Sequence, residues 1–229
     1  MSTIEDNFRS IRDAVMSAAI SSGRDESAVS LVAVTKFVSI QNISRAISAG
    51  ARAVGENRVQ ELSDKLEFFN ENKLSINLIG QLQINKVKYV IGNVDLIQSV
   101  DRLSLASEIS KRALAKNVVQ NVLIEVNIGG EAQKGGVAMD ELYDLLSEVS
   151  VLPGIQVKGL MCVPPAVDEG TAQKFFKSMR RLFETAKNIP GVSMDCLSMG
   201  MSGDFKVAVL EGATMVRVGS AIFGERLRA

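Results

Sequence analysis

Residues 194–224 read MDCLSMGMSGDFKVAVLEGATMVRVGSAIFG. An apolar run at 194–198 and a second at 214–218 flank a helical pattern at 203–211, which predicts two parallel strands joined by a helix. Each run ends in a turn rich in serine and glycine. Because parallel strands in such a unit end on the same side of a sheet, we expect the two turns to lie together.

The same alternation extends over the whole chain of 229 residues. A first helix is predicted at 3–21, and Asp101 and Asp168 are predicted to cap later helices. The six earlier β-branched or apolar runs lie at 31–35, 52–54, 76–80, 94–98, 121–128 and 156–161. The other helical patterns lie at 40–49, 56–71, 82–91, 101–116, 137–150 and 168–188.

Eight strands alternating with helices favour an α/β fold, a single (β/α)8 TIM barrel domain over residues 1–229 with an extra N-terminal helix. The competing fold is a doubly wound open sheet. A dinucleotide-binding sheet of that kind would show a glycine-rich turn after its first strand. Here the first strand ends in Thr35-Lys36-Phe37 instead.

The composition excludes several classes of function. The chain has no histidine, so triads with a histidine base and HExxH zinc sites cannot be built. Its formal net charge is zero, which argues against a general nucleic-acid binder. Cys162 and Cys196 lack metal-type spacing. With no signal peptide and no long apolar stretch in the sequence, we expect reduced thiols, no membrane span and a cytoplasmic location.

Lys36 stands directly at the end of the first predicted strand, after four apolar residues and Thr35. One interpretation is a lysine whose apolar stem lies along the barrel rim with its amine in water. The other is a partly desolvated amine that attacks an aldehyde and forms a Schiff base. Position alone does not separate the two.

The turns after strands seven and eight supply small side chains and free backbone N–H groups. In a barrel this is the usual place for a phosphate, so the sequence predicts an anion-binding cradle there. Its members are Ser198, Ser202, Gly219 and Ser220.

Arg217 falls within the eighth strand and needs a partner if it points into the barrel. That partner is either an internal carboxylate, such as Glu125 or Asp195, or a heteroatom of a ligand.

Polar residues also follow strands two and three, including Asn57, Arg58 and Glu61. They predict either a hydrogen-bonding wall of the site or ordinary helix capping. The segment from Gln81 to Lys88 predicts a solvated helix face or a further binding surface.

The chain resembles the pyridoxal phosphate homeostasis protein family. The matching stretches are LVAVTK, VGENRVQE, LIGQLQINK, IQSVDR, VNIGGEAQKGG, GLMCVPP, LSMGMSGDF and GATMVRVGSAIFG, in order from residue 31 to 224. Departures from the family pattern are Ile76-Asn77-Leu78, Phe37-Val38-Ser39 after the lysine, and Arg58 at a position that is often tyrosine.

The resemblance implies the fold-type III barrel of the alanine racemase N-terminal domain, with pyridoxal 5′-phosphate (PLP) as cofactor. It further implies that Lys36 forms the Schiff base and that Arg217 faces the pyridine nitrogen. Asn57 and Met161 would line the ring. The cradle residues Ser198, Ser202, Gly219 and Ser220 would hold the phosphate.

The racemase relatives use a second domain and a tyrosine acid, neither of which we expect here. The favoured function is therefore a non-catalytic PLP carrier in vitamin B6 and amino-acid homeostasis, a monomer that passes PLP to apo-enzymes. One alternative is a single-domain PLP-dependent racemase of low activity. Another is a Schiff-base aldolase-type barrel that acts on a phosphorylated sugar.

Overall fold

The computed structural model describes residues 2–131 and 133–224, so Met1, Ala132 and 225–229 of the predicted domain lie outside the described residues. Eight parallel strands pair in sequence order, and the last pairs with the first to close a barrel. This confirms the predicted fold. The strands are β1 (Ser30–Val34), β2 (Ala53–Glu56), β3 (Ser75–Leu78), β4 (Leu96–Val100), β5 (Gln120–Glu125), β6 (Ile155–Met161), β7 (Cys196–Ser198) and β8 (Met215–Val218).

Helices alternate with the strands and cover the outside of the barrel. None of the helices described is long and apolar enough to cross a membrane. The helices are α1 (Ile4–Ser21), α2 (Ile40–Ser48), α3 (Val59–Glu71), α4 (Val87–Val90), α5 (Leu103–Ala115), α6 (Leu142–Ser150), α7 (Glu169–Ala186), α8 (Phe205–Leu210) and α9 (Ser220–Phe223), with a 3-10 turn at Ile84–Lys86 before α4.

The barrel interior is apolar at its middle and polar towards the carboxyl ends of the strands. Leu96, Leu123 and Met161 pack together inside the barrel, apart from the larger core between strands and helices. Side chains alternate along a strand, so the next inward positions lie two residues further on. There the buried side chains are polar, and they are Asn77, Gln98, Glu125, Ser198 and Arg217.

The extra N-terminal helix α1 begins with a capping box between Thr3 and Asp6. It packs against α2, α8 and α9. Glu5 forms a bidentate pair with Arg45 of α2 at 2.8 and 2.9 Å. The Asn7 side chain donates to the backbone oxygen of Ile222 in α9 at 3.0 Å. The helix therefore supports the short segment that follows β8.

Helix boundaries differ from the prediction at several places. The predicted cap at Asp168 is confirmed, since its side chain accepts from Thr171 N at 3.1 Å. The predicted cap at Asp101 is wrong, because Arg102 is the N-cap of α5 and the Asp101 carboxylate pairs with it instead. The pattern at 137–150 becomes helical only from Leu142, and α9 was not predicted.

Candidate functional site

A cavity of about 580 Å³ opens at the carboxyl ends of the strands. Apolar side chains of Val34, Ile79, Val163 and Met201 form part of its wall. Six of the residues predicted from the sequence line it, which are Lys36, Asn57, Ser202, Arg217, Gly219 and Ser220. Parallel strands bring these residues together because β1, β2, β7 and β8 all end at this face.

Two predicted site residues, Met161 and Ser198, are not in the cavity lining. Both side chains are fully buried. Met161 ends β6 with its side chain turned into the barrel, where it packs against Leu96 and Leu123. Ser198 ends β7 and bonds to other interior side chains, whereas Ser202, four residues on, reaches the cavity.

The two loops predicted to form an anion cradle do meet. Ser202 Oγ, after β7, accepts hydrogen bonds from Gly219 N at 3.2 Å and from Ala221 N at 3.3 Å, after β8. Two backbone amides thus converge on one oxygen atom at the edge of the cavity. Ala221 was not predicted as a member, since its contribution is a backbone N–H.

The loop after β7 depends on Gly200, which has φ of +93°. A Cβ added there would lie 2.6 Å from Ala208 Cβ and 3.0 Å from Phe205 Cα, so the loop packs too closely on α8 for any side chain. Asp204 closes the loop by accepting from Met201 N at 2.6 Å.

Arg217 points into the barrel and lines the base of the cavity. Its Nη1 donates to Ser198 Oγ at 2.5 Å, and its Nη2 donates to the backbone oxygen of Cys162 at 2.8 Å. Both acceptors are neutral. Of the two carboxylates considered from the sequence, Glu125 forms no ion pair with Arg217 among the described residues, and Asp195 is exposed and pairs elsewhere.

A chain of hydrogen bonds continues from Arg217 across the barrel interior. Ser198 Oγ donates to Gln98 Oε1 at 2.7 Å, and Gln98 Nε2 donates to Asn77 Oδ1 at 2.9 Å. Asn77 Nδ2 then donates to the backbone oxygen of Val54 at 3.2 Å. Burial lowers the pKa of Arg217, but a guanidinium stays protonated in proteins. These hydrogen bonds therefore hold a fixed positive charge at the cavity wall.

Glu125 is a buried carboxyl on the inner face of β5. Burial raises its pKa to about 7, the charge of Asp101 raises it as well, and Arg217 opposes the rise. Its Oε2 atom has no hydrogen-bond partner among the described residues. The folded protein therefore holds a proton on Glu125 at pH values where an exposed glutamate has lost it.

Glu125→Gln is expected to flatten the pH dependence of stability. Between the ordinary value of 4.5 and about 7, the folded protein binds a proton that the unfolded chain releases, so wild-type stability falls as the pH rises through that window. Over that window the free energy of unfolding of the wild type falls by about 3 kcal/mol, whereas the variant, which has no carboxyl there, avoids this loss. Urea unfolding of the protein without ligand, from about pH 4 to about pH 8, measures it.

The matched control for this measurement is Glu148→Gln, which changes an exposed carboxyl on α6. We expect it to keep the wild-type slope. A Glu125→Gln variant whose stability declines with pH as steeply as the wild type would contradict the prediction.

Asn57 lies after β2 and faces the cavity. Its Oδ1 atom is buried and has no hydrogen-bond partner among the described residues. A buried amide oxygen of this kind is costly unless a ligand or water supplies a donor. Asn57 is thus a candidate ligand contact, in keeping with its predicted place.

Comparisons with known proteins identify the family. Residues 2–227 match the family model described as alanine racemase, N-terminal domain. A pyridoxal phosphate homeostasis protein of Aquifex aeolicus is 43% identical over 217 residues, which cover 94% of this chain and 95% of the relative. The chain belongs to the pyridoxal phosphate homeostasis protein family.

Solved structures of similar proteins share the barrel. A protein from Bifidobacterium adolescentis superposes with a TM-score of 0.92 at 37% identity, over 96% of this chain and 94% of that one. PipY of Synechococcus elongatus, in a structure with PLP bound, has a TM-score of 0.80 at 33% identity and covers 92% of this chain and 99% of its own. The resemblance predicted from the sequence motifs is confirmed at the level of the family.

Proposed function

We propose that this protein binds PLP in the cavity, links it to Lys36 as a Schiff base and serves to store and deliver it. One observation carries the proposal. Lys36 and Arg217 line the same cavity as the loops whose amides converge on Ser202. An amine for the aldehyde, a charged partner for the pyridine nitrogen and an anion cradle for the phosphate together suit an aldehyde phosphate with a pyridine ring.

The loops after β7 and β8 fit a phosphate. The amides of Gly219 and Ala221 both donate to one oxygen atom, that of the Ser202 hydroxyl, and a phosphate oxygen in its place would accept from the same two amides. A phosphate monoester carries about two negative charges at neutral pH and binds well to backbone amides and hydroxyls. Ser220, at the same edge, would add a hydroxyl.

Arg217 fits the pyridine nitrogen. A guanidinium has only donors, so it would donate to an unprotonated ring nitrogen and keep it unprotonated. Bound PLP supplies an electron-withdrawing ring, and that ring withdraws electrons less strongly when its nitrogen carries no proton. Asn57 would use its unsatisfied oxygen at the cavity wall.

The covalent step proposed for Lys36 balances without a further reactant. The neutral amine of Lys36 would add to the aldehyde carbon, a C=N bond would replace the C=O bond, and the aldehyde oxygen would leave as water with the two hydrogens of the amine. Water reverses the linkage, which makes it suitable for storage and release of the cofactor.

Among the described residues that line the cavity, none besides Lys36 is an evident acid–base group, and this favours a carrier over a racemase. Racemisation needs proton transfer on both faces of the substrate. The chain has no histidine, and its two tyrosines, Tyr89 on α4 and Tyr143 on α6, are not among the described residues that line the cavity. We propose that the protein acts as a cytoplasmic monomer in B6 and amino-acid homeostasis, with apo-enzymes as recipients.

Borohydride reduction followed by peptide mapping tests this function. The protein mixed with PLP should turn yellow, and reduction should fix the cofactor on the peptide that contains Lys36. Incubation with amino acids in deuterium oxide should give no more α-deuteration than free PLP gives. Labelling of another lysine would refute the Schiff-base assignment, and clear α-deuteration would favour the racemase.

A further inference from the structure

Lys36 occupies the second position of a four-residue turn from Thr35 to Val38. Val38 N donates to the backbone oxygen of Thr35 at 3.0 Å and closes the turn. Phe37, at the third position, has φ of +58°. This region suits glycine or asparagine, and a bulky residue adopts it only when its surroundings hold it there. The turn that presents Lys36 therefore depends on outside support.

Three polar side chains from β2 and α3 supply that support, and we refer to Glu56, Glu61 and Lys65 as the clamp. Glu61 Oε2 accepts from Phe37 N at 2.7 Å. Lys65 Nζ donates to the backbone oxygen of Thr35 at 2.8 Å, and Glu56 Oε1 accepts from the Thr35 hydroxyl at 2.7 Å. Both chain neighbours of Lys36 are thus held by the clamp.

The clamp is internally paired and largely shielded from water. Lys65 Nζ lies 2.8 Å from Glu56 and 3.6 Å from Glu61, and the side-chain exposures are 11% for Lys65, 0% for Glu56 and 19% for Glu61. The bond from Thr35 to Glu56 is buried, that from Lys65 is partly buried, and that from Phe37 N to Glu61 lies nearer the surface. Charge-assisted hydrogen bonds are stronger than neutral ones, and partial burial makes them fix geometry better than surface ion pairs do. On the outer side, the Arg58 guanidinium stacks 5.1 Å from the Phe37 ring centroid.

We propose that Glu61 is a positioning residue. Together with Glu56 and Lys65, it holds the turn from Thr35 to Val38 in the conformation from which the Lys36 amine reaches the PLP aldehyde. The inference rests on the proposed function. Without the acceptor on Glu61, Phe37 loses the contact that stabilises its positive φ, and the turn relaxes. The direction in which Lys36 leaves the backbone then changes.

The clamp acts on one part of the site only. It touches the end of β1, whereas Arg217 and the amides of Gly219 and Ala221 belong to the region of β7 and β8. Loss of Glu61 should weaken the covalent linkage and leave the contacts to phosphate and ring intact. A structural defect of the whole barrel would weaken both.

The experiment compares PLP with pyridoxine 5′-phosphate, which carries an alcohol in place of the aldehyde and cannot form a Schiff base. In Glu61→Ala we expect the equilibrium constant of Schiff-base formation to fall about tenfold, while the affinity for pyridoxine 5′-phosphate stays within about twofold. Glu61→Gln keeps an acceptor oxygen for Phe37 N and should restore most of the linkage. Glu67→Ala, an exposed carboxylate on the same helix, is the matched control.

A second variant keeps the test decisive if Glu61→Ala does not fold. Glycine accepts a positive φ without support, so Phe37→Gly combined with Glu61→Ala should recover the linkage. If that double variant does not recover the linkage, the proposal is overturned. It is also overturned if Glu61→Ala forms the Schiff base as well as the wild type does, or if Glu61→Ala loses affinity for PLP and for pyridoxine 5′-phosphate equally. If borohydride does not fix PLP on Lys36 of the wild type, the proposed function itself fails, and not only this inference.

Discussion

Lys36→Ala is expected to abolish the borohydride-stable adduct between the protein and PLP. The lysine follows β1 and lines the same cavity as Arg217, Ser202 and Gly219. Alanine has no amine, so no C=N bond can form and reduction has nothing to fix. Because the contacts proposed for the phosphate and the ring nitrogen come from other strands, the variant should still bind PLP reversibly.

Mass spectrometry after reduction measures this loss, and binding of pyridoxine 5′-phosphate shows that the rest of the site is intact. Added methylamine should restore a yellow Schiff base inside the variant, because a small amine can enter the space that the lysine side chain leaves. Lys111→Ala removes an exposed lysine on α5 and should be trapped like the wild type. An undiminished adduct in Lys36→Ala would show that another amine carries the cofactor.

The fold was predictable because each strand is buried on both faces and its residues are therefore apolar over a continuous run. In β5, for example, Val122, Leu123 and Ile124 are consecutive, apolar and fully buried. The extents of the helices were less predictable from the sequence. The helical pattern at 82–91 divides into a 3-10 turn and the short helix α4, which periodicity does not reveal.

Predicted site residues that follow a strand line the cavity, whereas the two that are the last residues of their strands do not. Lys36 and Ser202 lie in the loops and reach the cavity. Ser198 and Met161 are the last residues of their strands, and the barrel interior takes up both side chains. The depth of a residue inside a barrel depends on strand stagger, which one sequence does not reveal.

Glu61 shows a second limit of prediction. A glutamate in the first turn of a helix is favourable there through the helix dipole alone, so its position has an ordinary explanation. In the structure it bonds to Phe37 N, 24 positions earlier in the chain. Contacts between neighbouring βα units depend on the closed barrel, and no local pattern in the sequence indicates them.

The β6 strand contains a bulge that decides which of its side chains point into the barrel and which point outward. Val122 pairs with Val157 and Leu123 with Gly159, so Lys158 is an extra residue on β6. The extra residue shifts the side-chain alternation, so Met161 points into the barrel instead of outward with Val157. Gly159 takes the strained position that follows, with φ of +149°.

Gly159→Ala is expected to destabilise the protein by about 4 kcal/mol, because the backbone is unfavourable for alanine and a neighbouring strand occupies the space. The added Cβ would lie 1.8 Å from the backbone oxygen of Cys196, so β6 and β7 must separate. β7 has only three residues, and its loss would release the loop that carries Ser202. Urea unfolding measures the change, with Gly203→Ala, which meets nothing within 4 Å, as the control. A loss below about 1 kcal/mol would mean that the strands yield at little cost and that β7 is not rigidly placed.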